Sequence, residues 1–233
     1  MIDLLVEPWT WGAFMWRALL ASVFAAVPLA MLGVFLYLRR MSLIADALAH
    51  VALPGIVAAF LLTGSMEPLP ILAGAAVAGL VCSWMIEGLS NQTGVKSDAA
   101  IGIVFTALFA AGVILLSTSV QDAHIDTQCA LFGNVLAISD RALWMLGIVA
   151  PVVVILIVVF YRWLSVTSFD PGLAVAVGVP VAFVHYGLMT AVSVTTVAAF
   201  ESVGAVLAIA LIIVPAATAH LLADRLPTML LVA

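Results

Sequence analysis

Seven apolar runs of about 20 residues constrain the fold of this chain more than any other feature of its sequence. About 20 apolar residues in a helix cross the hydrocarbon core of a bilayer. Lipid offers no partner to unpaired backbone groups, so helices satisfy them internally. The runs predict an all-α, polytopic transmembrane helical bundle that forms a single domain over residues 1–233. The expected spans are 18–38, 43–63, 69–86, 99–120, 142–161, 180–200 and 203–222.

The composition supports an integral membrane protein. Hydrophobic residues make up 66% of the chain and charged residues only 8%, whereas soluble domains contain roughly 25% charged residues. There is no basic patch, so nucleic acid is not an expected partner. The final run, PTMLLVA, is interpreted as the start of an eighth span, and we expect this C-terminal helix to be truncated.

The distribution of basic residues predicts that the N-terminus is outside. Five of the seven then lie on the inner side, as the positive-inside tendency requires. The five are Arg39, Arg40, Lys96, Arg162 and Arg225, while Arg17 and Arg141 are outer. The outer face collects acidic residues, which are interpreted equally well as a solvated surface or as a mouth that concentrates cations.

Asp46 and His50 are two ionisable residues inside an otherwise apolar run. Their spacing of four residues places both side chains on one helix face. A carboxylate at the centre of a membrane helix costs about 2.5–3.5 kcal/mol on insertion scales, so it indicates pairing, a proton relay or ion coordination. Oxygen and nitrogen ligands together suit Zn²⁺, Mn²⁺ or Fe²⁺. From spacing alone, a structural hydrogen bond and a metal-transit site are equally good interpretations.

One chain supplies only two such ligands, whereas a closed zinc site usually has about four. A two-fold dimer with these faces opposed would supply two carboxylates and two imidazoles. A site at a dimer axis is therefore a hypothesis that the sequence raises.

The segment SFDPGLAVAVG, residues 168–178, lies in a predicted inner connection. Asp170 suits a helix N-cap, Pro171 the first helical position and Gly178 the residue after a helix. The pattern predicts a short helix that also contains Gly172, Leu173 and Ala174. Because the segment is too apolar for a free loop and too short to span, we expect it to dock on a protein partner or the membrane surface.

Enzymatic motifs are missing from the sequence: there is no GxxxxGK[ST], no HExxH and no GxSxG. We therefore expect a protein that is not an enzyme, with any ATP hydrolysis performed by a separate subunit. Residues 130–140 are expected to be re-entrant or interfacial. Four further polar residues receive no role: His124, His185, Glu201 and His220.

Five motifs in register resemble a known family: RRMSLIADALAHVALPGIVAAFLLTG, DAAIGIVFTALFAAGVILLS, LFGNVLAIS, SFDPGLAVAVGV and SVGAVLAIALIIVPAATAHLL. Over residues 13–225 the chain is similar to the membrane permeases of bacterial zinc, manganese and iron(II) ABC importers, the metal ABC-3 family. The resemblance implies a fold related to that of the cobalamin-importer permease, in the bacterial inner membrane.

The same resemblance implies partners and roles. The permease would be a homodimer, in some members a heterodimer, that works with two cytoplasmic ATPase subunits and an extracytoplasmic metal-binding protein. No cofactor would be bound permanently; the divalent metal is the substrate, and ATP acts through the partner. Asp46 and His50 correspond to the family's buried metal-transit pair. Residues 170–178 correspond to its ATPase-coupling helix.

Two other classes of function stay open at this stage. An ion-coupled secondary transporter would use Asp46 and His50 as a proton relay. A non-transporting scaffold would use them as a structural hydrogen bond. Among metals, zinc or manganese is expected, because no sulfur ligand is in reach of the pair.

Overall fold

A computed structural model of the chain describes residues 13–64, 67–93, 95–119 and 139–233. Over these residues the fold is all-helical, as predicted. The helices are α1 (Ala13–Leu38), α2 (Ser42–Thr63), α3 (Pro68–Thr93), α4 (Ser97–Ser119), α5 (Asp140–Val159), α6 (Tyr161–Phe169), α7 (Pro171–Ala176), α8 (Val181–Leu222) and α9 (Leu226–Val232).

Within the described residues, seven segments are long and apolar enough to cross a membrane, which confirms the seven predicted spans. They are Met15–Leu38, Leu43–Thr63, Leu69–Ser90, Ser97–Thr118, Asp140–Val159, Val181–Phe200 and Ser202–Leu222. The expected beginning of a further helix forms α9, in which Leu226 and Met229 are buried.

α8 contains two spans because it is broken at Gly204, where φ is 78° and ψ is 163°. Residues with a Cβ rarely adopt this conformation. In the first turn of α8, Phe183 contacts Phe160 just before α6. In the last turn, His220 contacts Tyr37 near the end of α1. Since α6 is hydrogen-bonded to the same end of α1, both ends of α8 share one side and its two spans run antiparallel.

Close backbone approaches hold α2 between α3 and α4. Where α2 crosses α3, a Cβ placed on Gly55 would lie 2.5 Å from the carbonyl oxygen of Gly74. Where α2 meets α4, a Cβ on Gly112 would lie 2.8 Å from Cδ of Pro54. Small residues at these crossings allow the helices to pack closely. These contacts fix the position of α2, and so of Asp46 and His50, relative to α3 and α4.

The beginnings of α1 and α5 lie on the same side of the bundle. Nη1 of Arg17, at the beginning of α1, lies 3.0 Å from Oδ1 of Asp140, at the beginning of α5. Arg17 was expected on the outer side. The opposite ends of α1 and α5 therefore also share a side.

α6 was not predicted. The fifth span ends at Val159, and Phe160, with φ −93° and ψ 11°, separates it from the nine residues of α6. No proline or glycine marks this break in the sequence. It is set instead by packing, since Leu164 and Thr167 of α6 are buried.

Candidate metal-transit site

Asp46 and His50 lie one turn apart in α2 on the face that approaches α4. Nε2 of His50 is 3.5 Å from Oδ1 of Asp46, so the two side chains share a face as predicted. The side chains of Asp46 and His50 are 45% and 29% exposed. The rest of this part of α2 is buried: Ile44, Ala45, Ala47, Leu48, Ala49, Val51 and Ala52. The pair is thus an open polar strip on an otherwise packed helix.

Two phenylalanine rings of α4 flank the imidazole. The ring centroid of His50 is 5.4 Å from that of Phe105 and 5.6 Å from that of Phe109. These apolar rings limit the approach of water to one side of the imidazole. Neither phenylalanine was predicted as part of the site. Their spacing of four residues, which matches that of Asp46 and His50, is the signal that could have found them.

The separation within the pair bears on its chemistry. At 3.5 Å it is longer than the roughly 2.7–3.2 Å typical of a hydrogen bond to oxygen. Neither group therefore saturates the other, and both keep lone pairs for a ligand. One oxygen and one nitrogen donor are an incomplete set. Among the described residues, no group of three or more His, Cys, Asp or Glu side chains could hold a metal ion.

α7 has the capping expected from its sequence. Oδ1 of Asp170 accepts a hydrogen bond of 2.9 Å from the N–H of Leu173, and Pro171 is the first helical residue. After the helix, Gly178 has φ 83°, and its N–H donates to the carbonyl oxygen of Val175 at 3.0 Å. Gly172 and Ala174 lie within the helix as predicted.

α7 exposes apolar side chains while it is anchored through one small residue. Ala174 is fully buried. Leu173, Val175 and Val177 are exposed, as is Phe169 at the end of α6. This part of the chain therefore presents a compact apolar tip beyond the membrane spans.

The two other described histidines contact aromatic rings. His185 contacts the ring of Tyr186, whose hydroxyl donates a hydrogen bond to Glu87 near the end of α3. His220 contacts Tyr37. His124, the side chain of Glu201 and residues 130–138 lie outside what the structure describes.

One basic residue, at the turn before α2, has contacts that the sequence did not predict. Arg39 was predicted only to lie on the inner side, yet its guanidinium donates hydrogen bonds to Thr167 and Ser168 of α6. These contacts link the beginning of the Asp46 helix to the segment before α7.

Comparison with known proteins agrees with the resemblance predicted from the motifs. The model of the ABC 3 transport family matches residues 12–233. The manganese transport system membrane protein MntD of Bacillus subtilis is 46% identical over 222 residues, which cover 90% of this chain and 75% of that protein. The zinc transport system membrane protein TroD of Treponema pallidum is 43% identical over 211 residues, covering 85% and 57%. The chelated iron transport system membrane protein YfeD of Yersinia pestis is 37% identical over 237 residues, covering 100% and 76%.

A solved structure has the same fold. PsaBC from Streptococcus pneumoniae in complex with Fab superposes with a TM-score of 0.85 at 36% sequence identity, covering 100% of this chain and 81% of that chain. Both the sequence and the three-dimensional similarity extend over nearly the whole chain. The chain therefore belongs to the ABC 3 transport family.

Proposed function

We propose that this chain is the channel-forming transmembrane subunit of an ATP-binding-cassette importer that moves a divalent transition metal into the cytoplasm. The observation that carries the proposal is the open face of Asp46 and His50 within the second span. The relatives named for manganese, zinc and iron transport support it.

Exposing two ionisable groups of a membrane span to lipid costs free energy. Such residues line a water-filled path, or pair with groups of another subunit. Oxygen and nitrogen donors suit Mn²⁺, Zn²⁺ and Fe²⁺. We expect manganese or zinc as cargo, because the one described cysteine, Cys82, is buried in α3. Transit ligands must also release the ion, and a small donor set serves release better than a closed site.

A second permease chain would complete the donor set. Two copies that oppose the α2 faces would surround the axis with two carboxylates and two imidazoles. A heterodimer with a related permease would serve equally well if its chain supplied equivalent groups. The ion would shed water in steps and pass from the outer mouth to the inner side.

The energy for transport would come from partner ATPases. The apolar tip formed by Phe169, Leu173, Val175 and Val177 fits a groove in a cytoplasmic subunit. ATP binding would move α7 and switch access between the two sides of the membrane. In this arrangement the protein sits in the bacterial inner membrane with its N-terminus outside, and a loaded metal-binding protein docks on the outer face.

Uptake by proteoliposomes tests this function. The purified permease, its ATPase and its binding protein would be reconstituted. Entry of manganese and zinc would be measured with ATP, with a non-hydrolysable ATP analogue, and with ATP plus an ionophore that collapses the proton gradient. Uptake that requires hydrolysis and survives the ionophore is expected. Uptake driven by the proton gradient without ATP would identify a secondary transporter. No uptake of any divalent metal would favour a scaffold.

A further inference from the structure

Arg39 lies in a turn that holds the end of α1 and the beginning of α2 in a fixed relation. The N–H of Arg40 donates to the carbonyl oxygen of Tyr37 at 3.0 Å, and that of Met41 to Leu36 at 3.0 Å. This is the pattern of a Schellman cap. Arg40 occupies the left-handed position with φ 58°, which is uncommon for a residue other than glycine. The cap therefore fixes Arg39 relative to the first residues of α2.

The guanidinium of Arg39 reaches from this turn to the last turn of α6. Its Nε donates to Oγ of Ser168 at 3.1 Å, and its Nη2 donates to Oγ1 of Thr167 at 2.8 Å. Thr167 is 3% exposed. Ser168 lies two residues before Asp170, the N-cap of α7. The contact thus joins α2, through its preceding turn, to the segment that leads directly into α7.

The two hydroxyl groups are oriented so that they can only accept from Arg39. Thr167 donates its hydrogen to the carbonyl oxygen of Trp163 at 2.8 Å, and Ser168 donates to that of Leu164 at 2.6 Å. A hydroxyl has one hydrogen to donate and two lone pairs to accept with. Because each hydroxyl hydrogen is already donated within α6, the lone pair that faces Arg39 can bond only to a donor, which the guanidinium supplies.

The hydrogen-bond partners of the charged Arg39 guanidinium are the neutral hydroxyl groups of Thr167 and Ser168. Among the described residues, the ion pairs do not include Arg39. Burial lowers the pKa of Arg39 to about 10, so the guanidinium stays charged at neutral pH. A half-buried cation that loses its hydrogen-bond partners is costly, and this cost resists separation of α6 from the α1–α2 turn.

We propose that Arg39 is a positioning residue that transmits movement of α7 to Asp46 and His50 through its paired hydrogen bonds to Thr167 and Ser168. The inference rests on the proposed function. It assigns to Arg39 a role in coupling ATP hydrolysis to metal movement, with no contact to the ion itself.

Arg40 provides a matched control. It is the neighbouring basic residue, and its side chain is exposed. Arg39→Lys keeps the positive charge but loses the planar fork that can bond two hydroxyl groups at once. Arg40→Lys makes the same chemical change where no such contact exists among the described residues.

The test measures metal taken up per ATP hydrolysed by the complete reconstituted complex. We expect Arg39→Lys to lower this ratio by about 5-fold or more, the lower part of the range for coupling between sites. Arg40→Lys should leave it unchanged. A merely structural role would reduce the active fraction, and so lower uptake and hydrolysis together without changing their ratio. An unchanged ratio in Arg39→Lys would overturn the inference.

A second variant tests the acceptors and keeps the experiment informative if Arg39→Lys folds poorly. Thr167→Val combined with Ser168→Ala preserves the cation and should lower the ratio to a similar extent. Adding Arg39→Lys to that background should lower it no further, because both changes remove the same contact. Fully additive losses would overturn the inference. Failure of the wild-type complex to show ATP-dependent uptake would instead refute the proposed function.

Discussion

The polar groups on either side of the first turn of α2 differ in whether they are hydrogen-bonded to other parts of the chain. Asp46 and His50 are partly exposed, stand 3.5 Å apart and do not saturate each other. Arg39 is bonded to two hydroxyl groups that have each committed their own hydrogen elsewhere. Unbonded ligand atoms can exchange an ion, whereas a pair of directional hydrogen bonds, here called the Arg39 contact, can carry a displacement. The difference separates the part of the molecule that handles cargo from the part that moves it.

The largest expected effect comes from removing the negative charge of the Asp46–His50 pair. Asp46→Asn keeps the shape of the side chain but removes the charge that a divalent cation requires. Metal uptake by the reconstituted complex should fall by more than about 10-fold, since even indirect supports of metal ligands are worth about 10–100-fold. Thermal stability should not fall, because an amide is less costly than a carboxylate in a membrane helix.

Asp98→Asn is the matched control for Asp46→Asn. Asp98 is an exposed acid in the first turn of α4, so its neutralisation should leave uptake near the wild-type level. Normal uptake in Asp46→Asn together with lower stability would show that the carboxylate is structural. That result would remove the distinction between the open pair and the Arg39 contact.

The packing that positions the open pair gives the next largest effect. A Cβ on Gly112 would meet Pro54 of α2 at 2.8 Å, whereas nothing lies within 4 Å of one on Gly102 in the same helix. Gly112→Ala should push α4, with Phe105 and Phe109, away from His50. We expect it to lower the free energy of unfolding by about 1–3 kcal/mol, as overpacking does.

Gly102→Ala tests whether that loss is specific to the contact with Pro54. An alanine there should be neutral or stabilising by up to about 1 kcal/mol, because glycine is unfavourable within a helix. Unfolding in mixed micelles would measure both variants. Equal behaviour of the two would mean that the approach of α4 to α2 does not position the pair.

The Arg39 contact is tested by removing one of its two acceptors. Thr167→Val should lower the free energy of unfolding by about 1.5 kcal/mol, the lower end of the range for hydrogen bonds to charged groups. Thr218→Val is the control. The exposed hydroxyl of Thr218 also donates a hydrogen bond within its own helix, to the carbonyl oxygen of Val214. If the two variants lose equal stability in the same unfolding assay, the bond from Arg39 contributes nothing.

The sequence predicted what local composition controls. Apolar runs of the right length place the seven spans, because a bilayer tolerates few alternatives. The caps at Asp170 and Gly178 predict α7, since each satisfies backbone groups at a helix end. Asp46 and His50 stand out because charge is rare in a span.

What the sequence could not predict depends on contacts between distant residues. The bonds from Arg39 to Thr167 and Ser168 join positions 128 and 129 residues apart, and no local pattern encodes such a pairing. The rings beside His50 belong to another helix. The break before α6 has no glycine or proline, so it follows from burial of Leu164 and Thr167 rather than from propensity.

The smallest expected effect comes from a third polar contact that is neither open for ligands nor buried. Tyr186, near the beginning of α8, donates a hydrogen bond to the carboxylate of Glu87 on α3, and this bond is exposed. Water replaces such a partner readily, so Tyr186→Phe should lower the free energy of unfolding by about 0.5 kcal/mol, the bottom of the usual net range. Glu87→Gln would complete a double-mutant cycle. The bond from Arg39 to Thr167 is expected to contribute about 1.5 kcal/mol. An equally large coupling free energy between Tyr186 and Glu87 would show that exposure does not distinguish polar contacts that transmit movement from those that do not.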